Sequence, residues 1–571
     1  MNENRNLILA LALCMIVWLG WLVLGDRVVP TSAPQSTKVV NGKPRPVNEP
    51  KTATITPANA PAQSLPAALA ASPRLRVATP SLAGSIALKG ARFDDLVLVR
   101  HSTTIDRNSP PVRLLSPAGA PGAYFADFGW IGQGVAVPDA NSLWTASAPQ
   151  LTPGRPVTLS WSNPTGQRFE LVVSIDDGYL FTVRQRVANG AAAPVQLRPY
   201  GLVSRATKSI DPSTWTNHVG PVAFLGGKAD YGIDWKTLDQ DGPQKLDSNG
   251  GWLGFGDKYW LTALAPAGNG SIATSFRTGQ AGGYQADYAN EPVQVAPGQV
   301  ATTTTRLFAG AKEKAWLDRY EDEGITKLSK AIDWGWFEWF MRPIFSLLIW
   351  LYGVVGNFGL AIICLTLIVK AIMFPIANKQ FRSMAGMRKV QPKMKALQER
   401  YKDDKPKLQQ EMLKLYQTEK INPAAGCLPI LIQIPIFYAL YKTLLISVEM
   451  RHKPFALWIH DLSAPDPLTP VNLFGFLHFT PPHMLAIGVL PILFGLTMWV
   501  QQKLNPQPMD PAQQQIFALM PVVMTVVFAP FAAGLQLYYV VNNLLTIAQQ
   551  WFLLRKYSDD TPAPATTVAA R

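Results

Sequence analysis

Residues 516–554 read IFALMPVVMTVVFAPFAAGLQLYYVVNNLLTIAQQWFLL, 39 positions without one Asp, Glu, Lys or Arg. As one helix this run would be ~58 Å long at 1.5 Å per residue, close to twice the ~30 Å hydrocarbon layer of a bilayer. It is therefore expected to form two membrane crossings joined by a very short turn, with Pro530 and Gly534 at the midpoint. Working outward, further apolar spans run over 344–375, 426–448 and 484–500, and another from Leu7 to Leu24. That makes six crossings.

The composition agrees. The chain has 571 residues, 48% of them hydrophobic but only 16% charged, with a net charge of +14. A soluble protein carries roughly 25% charged residues. The length excludes a single soluble core, and 17 Trp, 25 Phe and 16 Tyr exclude a disordered chain. Cys14, Cys364 and Cys427 all lie in or beside apolar runs, which excludes a disulfide scaffold or a cysteine-rich zinc site and suits small buried hydrophobes.

The run from Leu7 is longer than a secretory signal's apolar region and has no small-x-small cleavage site after it. Residues 1–27 therefore read as an uncleaved N-terminal transmembrane anchor, and 28–72, rich in Pro, Ala and Thr, as a disordered tether. Over 73–308 short alternating runs, such as Arg168–Ile175 and Tyr179–Val187, are divided by Gly, Pro, Asn and Asp turns. This density of strands without helices between them predicts an antiparallel β-sandwich. Between Gly310 and Met341 the period becomes helical: Ile325, Leu328, Ile332, Trp336 and Trp339 share one face. Residues 309–342 are expected to hold an amphipathic helix, lying in the membrane interface or docked on the sandwich.

A second span follows at 343–376 and a third at 426–448. Between them, 377–425 carries twelve Lys and Arg against five Asp and Glu. Its Met387, Val390, Met394, Leu397 and Tyr401 repeat at 3-4-3-4, Asp403–Pro406 supplies a break and Asn422-Pro423 a stop, so it reads as a helical hairpin. The loop 449–483 holds only Arg451 and Lys453; the fourth span is 484–500, a short loop covers 501–515, the fifth and sixth spans fill 516–554, and 555–571 is a tail. By the positive-inside rule the hairpin, the tail and both termini are cytoplasmic and the β-domain is exported. An exported, disulfide-free domain suits the bacterial inner membrane. The same rule explains the hairpin's lysines without sequence-specific nucleic-acid binding; contact with acidic headgroups or ribosomal RNA stays open.

No HExxH, GxSxG or phosphate-binding loop is present, and Gly254-Phe-Gly256 and Gly132-Gln-Gly134 lack a third glycine. His478 and His483 flank two prolines at a membrane edge, poor geometry for a metal. Asp94-Asp95 and Asp176-Asp177 read as turn chemistry. Neither enzyme activity, cofactor nor metal is expected. The informative residues are polar ones inside the spans: Thr366 and Lys370 in the second; Gln433 in the third, with Phe437 and Tyr441 at four-residue steps; and Tyr539, Asn542, Thr546 and Gln549 in the last, with Asn543 and Gln550 beside them. Alone, Lys370 reads equally well as a residue that snorkels to the surface. Polar residues at helical spacing in three spans point to one shared hydrophilic surface.

Six stretches of this chain resemble the YidC-type membrane protein insertases of bacterial inner membranes. They are Leu365–Pro375, Gln391–Lys395, Asn422–Pro429, Gln433–Phe437, Pro454–Ser463 and Gly534–Tyr539. The order of anchor, tether, exported β-domain, interfacial helix and five-span core is similar to the Gram-negative form. The resemblance implies a periplasmic β-supersandwich and a five-helix core around a hydrophilic groove that is open to cytoplasm and lipid and closed outside. It places Lys370 at the family's single positive charge, where most relatives have Arg. It implies insertion of nascent membrane proteins, alone or with the Sec translocon. Thr366, Gln433, Tyr539, Asn542 and Thr546 would line the groove, and Phe437 and Tyr538 would form the apolar face along which a client slides. The tail lacks the strongly basic end of many relatives, which makes residues 377–425 the expected ribosome contact. Two other readings are a solute transporter or channel using the same polar stripe, and an exported sugar-active enzyme on a membrane stalk.

Overall fold

A computed structural model describes residues 63–558 except 212, 214–216, 280–281, 336, 403, 420–427, 478–485 and 505–510. The N-terminal anchor, most of the tether, Cys14, Cys427, the Asn422-Pro423 stop, His478, His483 and nearly all of the tail lie outside the described residues. The described chain forms two compact units that divide after Gly335.

The first unit is two large antiparallel-rich sheets packed face to face. One runs strand by strand through Gln244–Asn249, Ser271–Thr278, Tyr284–Asn290, Val195–Arg205, Tyr124–Gly132, Arg92–Ser102, Leu82–Ala87, Arg74–Ala78 and Gln150–Leu151. The other runs through Lys228–Asp230, Gly220–Leu225, Trp252–Gly256, Trp260–Pro266, Val300–Ala311, Leu180–Asn189, Gln167–Ile175, Val157–Ser162 and Thr145–Ala146. Alternation makes these strands. In Gln167–Ile175, Phe169, Leu171, Val173 and Ile175 point inward, each contributing roughly 1.5–3 kcal/mol of burial. Phe93 meets Phe181 edge-on across the sheets at 5.4 Å, and Trp130 meets Phe169 at 5.1 Å.

Four expectations are corrected here. The tether to residue 72 ends in order: α1, Leu65–Ala70, is capped by Ser64. Asp94-Asp95 is no turn but a bulge within Arg92–Ser102, where Ser85 pairs with Asp95 and Ile86 with Phe93, leaving Asp94 extra. Around the bulge, Arg74 donates to Asp94 and to Ser85 Oγ, while Ser85 Oγ donates to Asp95 at 2.6 Å. Asp176-Asp177, by contrast, is a turn, with Asp176 Oδ1 accepting from the backbone of Gly178 and Leu180 at 3.0 Å.

The long amphipathic helix of 309–342 does not form. After α2 (Trp235–Gln240), the strand Val300–Ala311 leads into a short α3, Lys314–Asp322, and a 3-10 turn at Leu328–Ala331. Gly324 at φ +98° and Lys327 at +53° break the helical path. Ile325, Leu328, Ile332 and Trp334 are buried within the β-unit, which therefore extends to Gly335. Tyr320 of α3 donates to Asp176 at 2.5 Å and accepts from Tyr179 N at 2.9 Å.

The second unit is helical. The expected single span 343–376 is two helices, α4 (Glu338–Val355) and α5 (Phe358–Arg400), separated by left-handed Gly356 and by Asn357, whose side chain caps Leu360 N. Both α4 and the stretch Phe358–Asn378 are long and apolar enough to cross a membrane. The 43-residue α5 runs on without interruption into the basic hairpin, which α6, Lys405–Thr418, completes. Asp404 caps α6 at Lys407 N, and Lys393 pairs with Glu419 at 2.6 Å across the hairpin. The remaining helices are α7 (Leu428–Ile446), α8 (Val489–Leu504), α9 (Pro511–Phe528) and α10 (Ala533–Ser558). The α9–α10 turn falls at Pro530, as the sequence predicts. Helices pack in the order α9, α8, α10, α5, α4 and α7, while α7 touches α5 and α10 only lightly. Half-buried Cys364 packs against this core.

Candidate functional site

Where α5, α7 and α10 face one another, the helical period places the polar residues. Lys370 Nζ of α5 donates to Thr546 Oγ1 of α10 at 2.7 Å. Thr546 Oγ1 in turn donates to the Asn542 carbonyl at 2.6 Å, so the ammonium ends a short chain of hydrogen bonds. Lys370 is half-buried and has no carboxylate partner among the described residues. One turn of α7 before Phe437, Gln433 Nε2 donates to Tyr538 Oη at 3.1 Å.

The expected groove residues separate into three sets. Lys370, Gln433, Tyr539, Asn542 and Thr546 are half-buried on α5, α7 and α10. Thr366 is not: it is 1% exposed, and its hydroxyl donates back to Ile362 O of its own helix at 2.7 Å. Tyr538 is equally buried and offers no face along which anything could slide. Phe437 is half-buried in an aromatic cluster; among the described side chains of its helix, Ile434 is the exposed large apolar one. Asn543 turns away from this site, its Nδ2 donating to Thr497 Oγ1 of α8 at 3.2 Å, and Gln549 Nε2 is buried without a partner among the described residues.

The aromatic cluster closes the end away from the hairpin. Tyr539 lies 5.4 Å from Phe437, 5.3 Å from Phe494 and 5.0 Å from Phe528, and Tyr441 packs on Phe531 at 5.5 Å. Along α10, Thr546 is seven residues beyond Tyr539, ~10 Å nearer the hairpin end. The site is thus aromatic at one level and polar below it.

A clasp secures the aromatic end. The turn before α10 docks on the loop 449–469: Ala533 N donates to Ala464 O at 2.7 Å and Gly534 N to Leu462 O at 2.9 Å. Asn357 Nδ2 donates to Phe455 O, and a Cβ on Gly359 would lie 1.9 Å from the Phe455 ring. Asp466 accepts from Trp458 Nε1 and Leu468 N and, at the start of α8, from Leu490 N. Gln536, fully buried, donates to the carbonyls of Phe528, Ala529 and Phe531 and so holds the α9–α10 turn. Sequence reasoning missed Gln536 and Asp466. A glutamine six residues after the Pro530 break and an aspartate opening the charge-free stretch 467–502 were the available signals.

Residues 74–347 match the family model described as YidC periplasmic domain, and 350–560 the one described as 60Kd inner membrane protein. The chain is 47% identical over 564 residues to a Zymomonas mobilis protein named membrane protein insertase YidC, covering 98% of this chain and 96% of that one. It is 43% identical over 594 residues to a Methylorubrum extorquens protein of the same name, covering 97% and 96%. A solved structure described as an active YidC insertase with its first transmembrane domain resolved matches at a TM-score of 0.37 and 19% identity, covering 84% of this chain and 93% of that one.

Proposed function

This chain belongs to the YidC family of membrane protein insertases, and from that premise we propose that client segments enter the bilayer along the polar surface shared by α5, α7 and α10, with Lys370 as its electrostatic centre. The family and the match to its periplasmic-domain model support a membrane protein with a large β-rich periplasmic part. The placement we infer has the α5–α6 hairpin and both termini in the cytoplasm, the α9–α10 turn and the loop 449–469 on the outer side, and the inner membrane as host. The excess of Lys and Arg over 377–425 supports it. Helix α4, with Trp339 and Trp350 exposed, takes the interfacial position first assigned to 309–342.

The single observation that carries this reading is Lys370 itself: a half-buried ammonium whose recorded partner is one neutral hydroxyl. An isolated charge at mid-bilayer costs roughly 2.5–3.5 kcal/mol on insertion scales. A polar surface reaching partway into the bilayer reduces that cost for a short acidic or polar client segment. Lys370 attracts the acidic groups, while Gln433, Asn542 and Thr546 offer hydrogen bonds. The attraction is transient because Thr546 competes for the ammonium. The client's apolar segment then leaves into lipid, driven by its own burial, past the lightly held α7. No covalent bond is made or broken. The hairpin would receive clients and contact the ribosome, and the Sec translocon would act as partner for larger clients.

Stalled nascent chains crosslinked to photoreactive probes at Lys370, Phe437 and Tyr539 test the path. Acidic client residues should crosslink at 370 and apolar ones at 437 and 539. A client that reaches none of the three positions while still inserting would overturn it. None of the relatives named above is a transporter or a sugar-active enzyme.

A further inference from the structure

After the clasp, the chain forms an apolar knob. From Pro467 to Gln502 there are 36 residues without one Asp, Glu, Lys or Arg. Within this stretch Val471, Leu473, Phe474, Phe476 and Leu477 are exposed, Phe476 at 82%. The knob is built rather than loose. Leu473 and Phe474 both adopt left-handed backbone, at φ 50° and 57°, a conformation bulky residues avoid unless held. Here it is held: Phe474 N donates to Thr469 O at 2.9 Å, Leu477 N to Asn472 O at 3.0 Å, Phe476 N to Leu473 O at 3.2 Å, and Val471 N to Thr469 Oγ1 at 3.2 Å. Its root is pinned, because Val489 N donates to Leu468 O and Asp466 ties Leu468 to Leu490.

Resting on the membrane placement given above, we propose that Thr469–Leu477 is seated in the interfacial layer of the outer leaflet and sets the depth of α8. Three observations single out lipid as the occupant. The absence of charge removes what would hold the knob in water. The internal hydrogen bonds satisfy backbone donors that hydrocarbon could not. Ile492, Leu496 and Trp499 of α8, the helix to which the knob's root is pinned, are exposed as well, as on a crossing helix that turns apolar side chains to lipid.

The test uses the full chain with Cys14, Cys364 and Cys427 replaced by Ser and a single environment-sensitive fluorophore attached through Phe476→Cys. The protein is reconstituted in phosphatidylethanolamine–phosphatidylglycerol vesicles. Leu473→Cys serves as the second position in case the first fails to fold, and Ile210→Cys, fully exposed in the β-unit, as the water control. Lipids spin-labelled near the headgroup end of the acyl chain should cut the signal at 476 at least about twofold, as for a group ~5–10 Å into the headgroup boundary. Iodide should quench only the label at 210. Quenching at 476 by iodide alone puts the knob in water and overturns the proposal. Quenching by neither agent means that protein, another segment or a second copy, covers it, and overturns it too. Client insertion measured on the same vesicles separates the two readings: lipid quenching without insertion would sink the functional reading and leave this one standing.

Discussion

Replacing Lys370 by Ala removes the ammonium at the proposed site, and the structure bounds what that removal does. A client carboxylate ~4 Å from the ammonium gains ~1 kcal/mol in water and ~4 kcal/mol at an effective dielectric of 20. Lys370 is half-buried, so the value lies between these limits. From it must be subtracted the hydrogen bond to Thr546 that the ammonium gives up, about 1.5–3 kcal/mol gross for a charged donor and partly recovered from the client. The net is ~1–2 kcal/mol, which is about 5- to 30-fold in rate or occupancy. The assay is insertion into proteoliposomes of two otherwise identical clients, one with two Asp in its exported segment and one with two Asn, read by protease protection. Lys370→Ala should slow the Asp client by that factor and leave the Asn client nearly unchanged. Lys370→Arg should restore the Asp client, because it keeps the charge. If both clients slow equally, Lys370 shapes or stabilises the bundle rather than attracting charge, and the electrostatic argument fails.

Thr546→Val keeps the side chain's shape but takes away the ammonium's acceptor. Acidic clients should then dwell longer at position 370, seen as a higher crosslink yield and slower release; a shorter dwell would show that Thr546 helps to bind the client. In the β-unit, burial pushes the Asp94 carboxyl up to about 6, against the opposing pull of Arg74. The unfolded value is about 3.9, so the folded chain holds the extra proton between these values, and this group's contribution to stability falls as pH rises through 6, by at most ~3 kcal/mol. Relative to wild type, Asp94→Asn should therefore be progressively more stable from pH 4 to 6.5 in thermal unfolding of the purified chain; a difference that does not change with pH would refute the assignment. Gln536→Ala takes the side-chain donor from the buried Ala529 carbonyl and from that of Phe531, while Phe528 O keeps Phe531 N, at about 1–3 kcal/mol for an unsatisfied buried group. Faster proteolysis at 529–532 is the expected result, and unchanged proteolysis would mean that the clasp alone holds the turn.

How far the sequence could be read depended on whether the deciding contact was local. Strands such as Gln167–Ile175 were legible because one face of each is buried and the alternation records it. The Asp94 bulge was not, since a register shift shows only against the partner strand. Between Gly310 and Met341 the helical spacing of Ile325, Leu328 and Ile332 was real, but each residue is buried by the sandwich, so the spacing reports a docking surface rather than a helix. In 343–376 continuous hydrophobicity hid a break that Gly356-Asn357, a left-handed stop followed by an N-cap, spelled out. The candidate site shows the same limit. Thr366 and Lys370 stand four apart on one helix, yet only the packing of α10, 176 residues further on, decides that Lys370 meets Thr546 while Thr366 is sealed inside.

That packing also gives the two ends of the bundle different ties. Near the clasp, α8 and α10 are fixed by backbone hydrogen bonds to the loop 449–469, α5 by the Asn357 side chain, and the turn and α8 further by Gln536 and Asp466, none of which relies on hydrophobic contact that lipid could replace. Helices in a bilayer gain little from apolar burial against one another, so such polar ties decide which pairs stay together. Toward the hairpin they give way to Lys370–Thr546, a side-chain bond that under the proposed function a client's own polar group replaces, whereas Gln433–Tyr538 ends on a buried tyrosine. Helix α7, which packs on α4, touches α5 and α10 lightly and contains Pro435, would under the proposed function be the member that yields. Under the proposed function, a client exchanging hydrogen bonds with Lys370 and Thr546 would loosen that end and leave the aromatic cluster in place. The asymmetry follows from where the backbone ties stop, not from any difference in hydrophobicity along the helices.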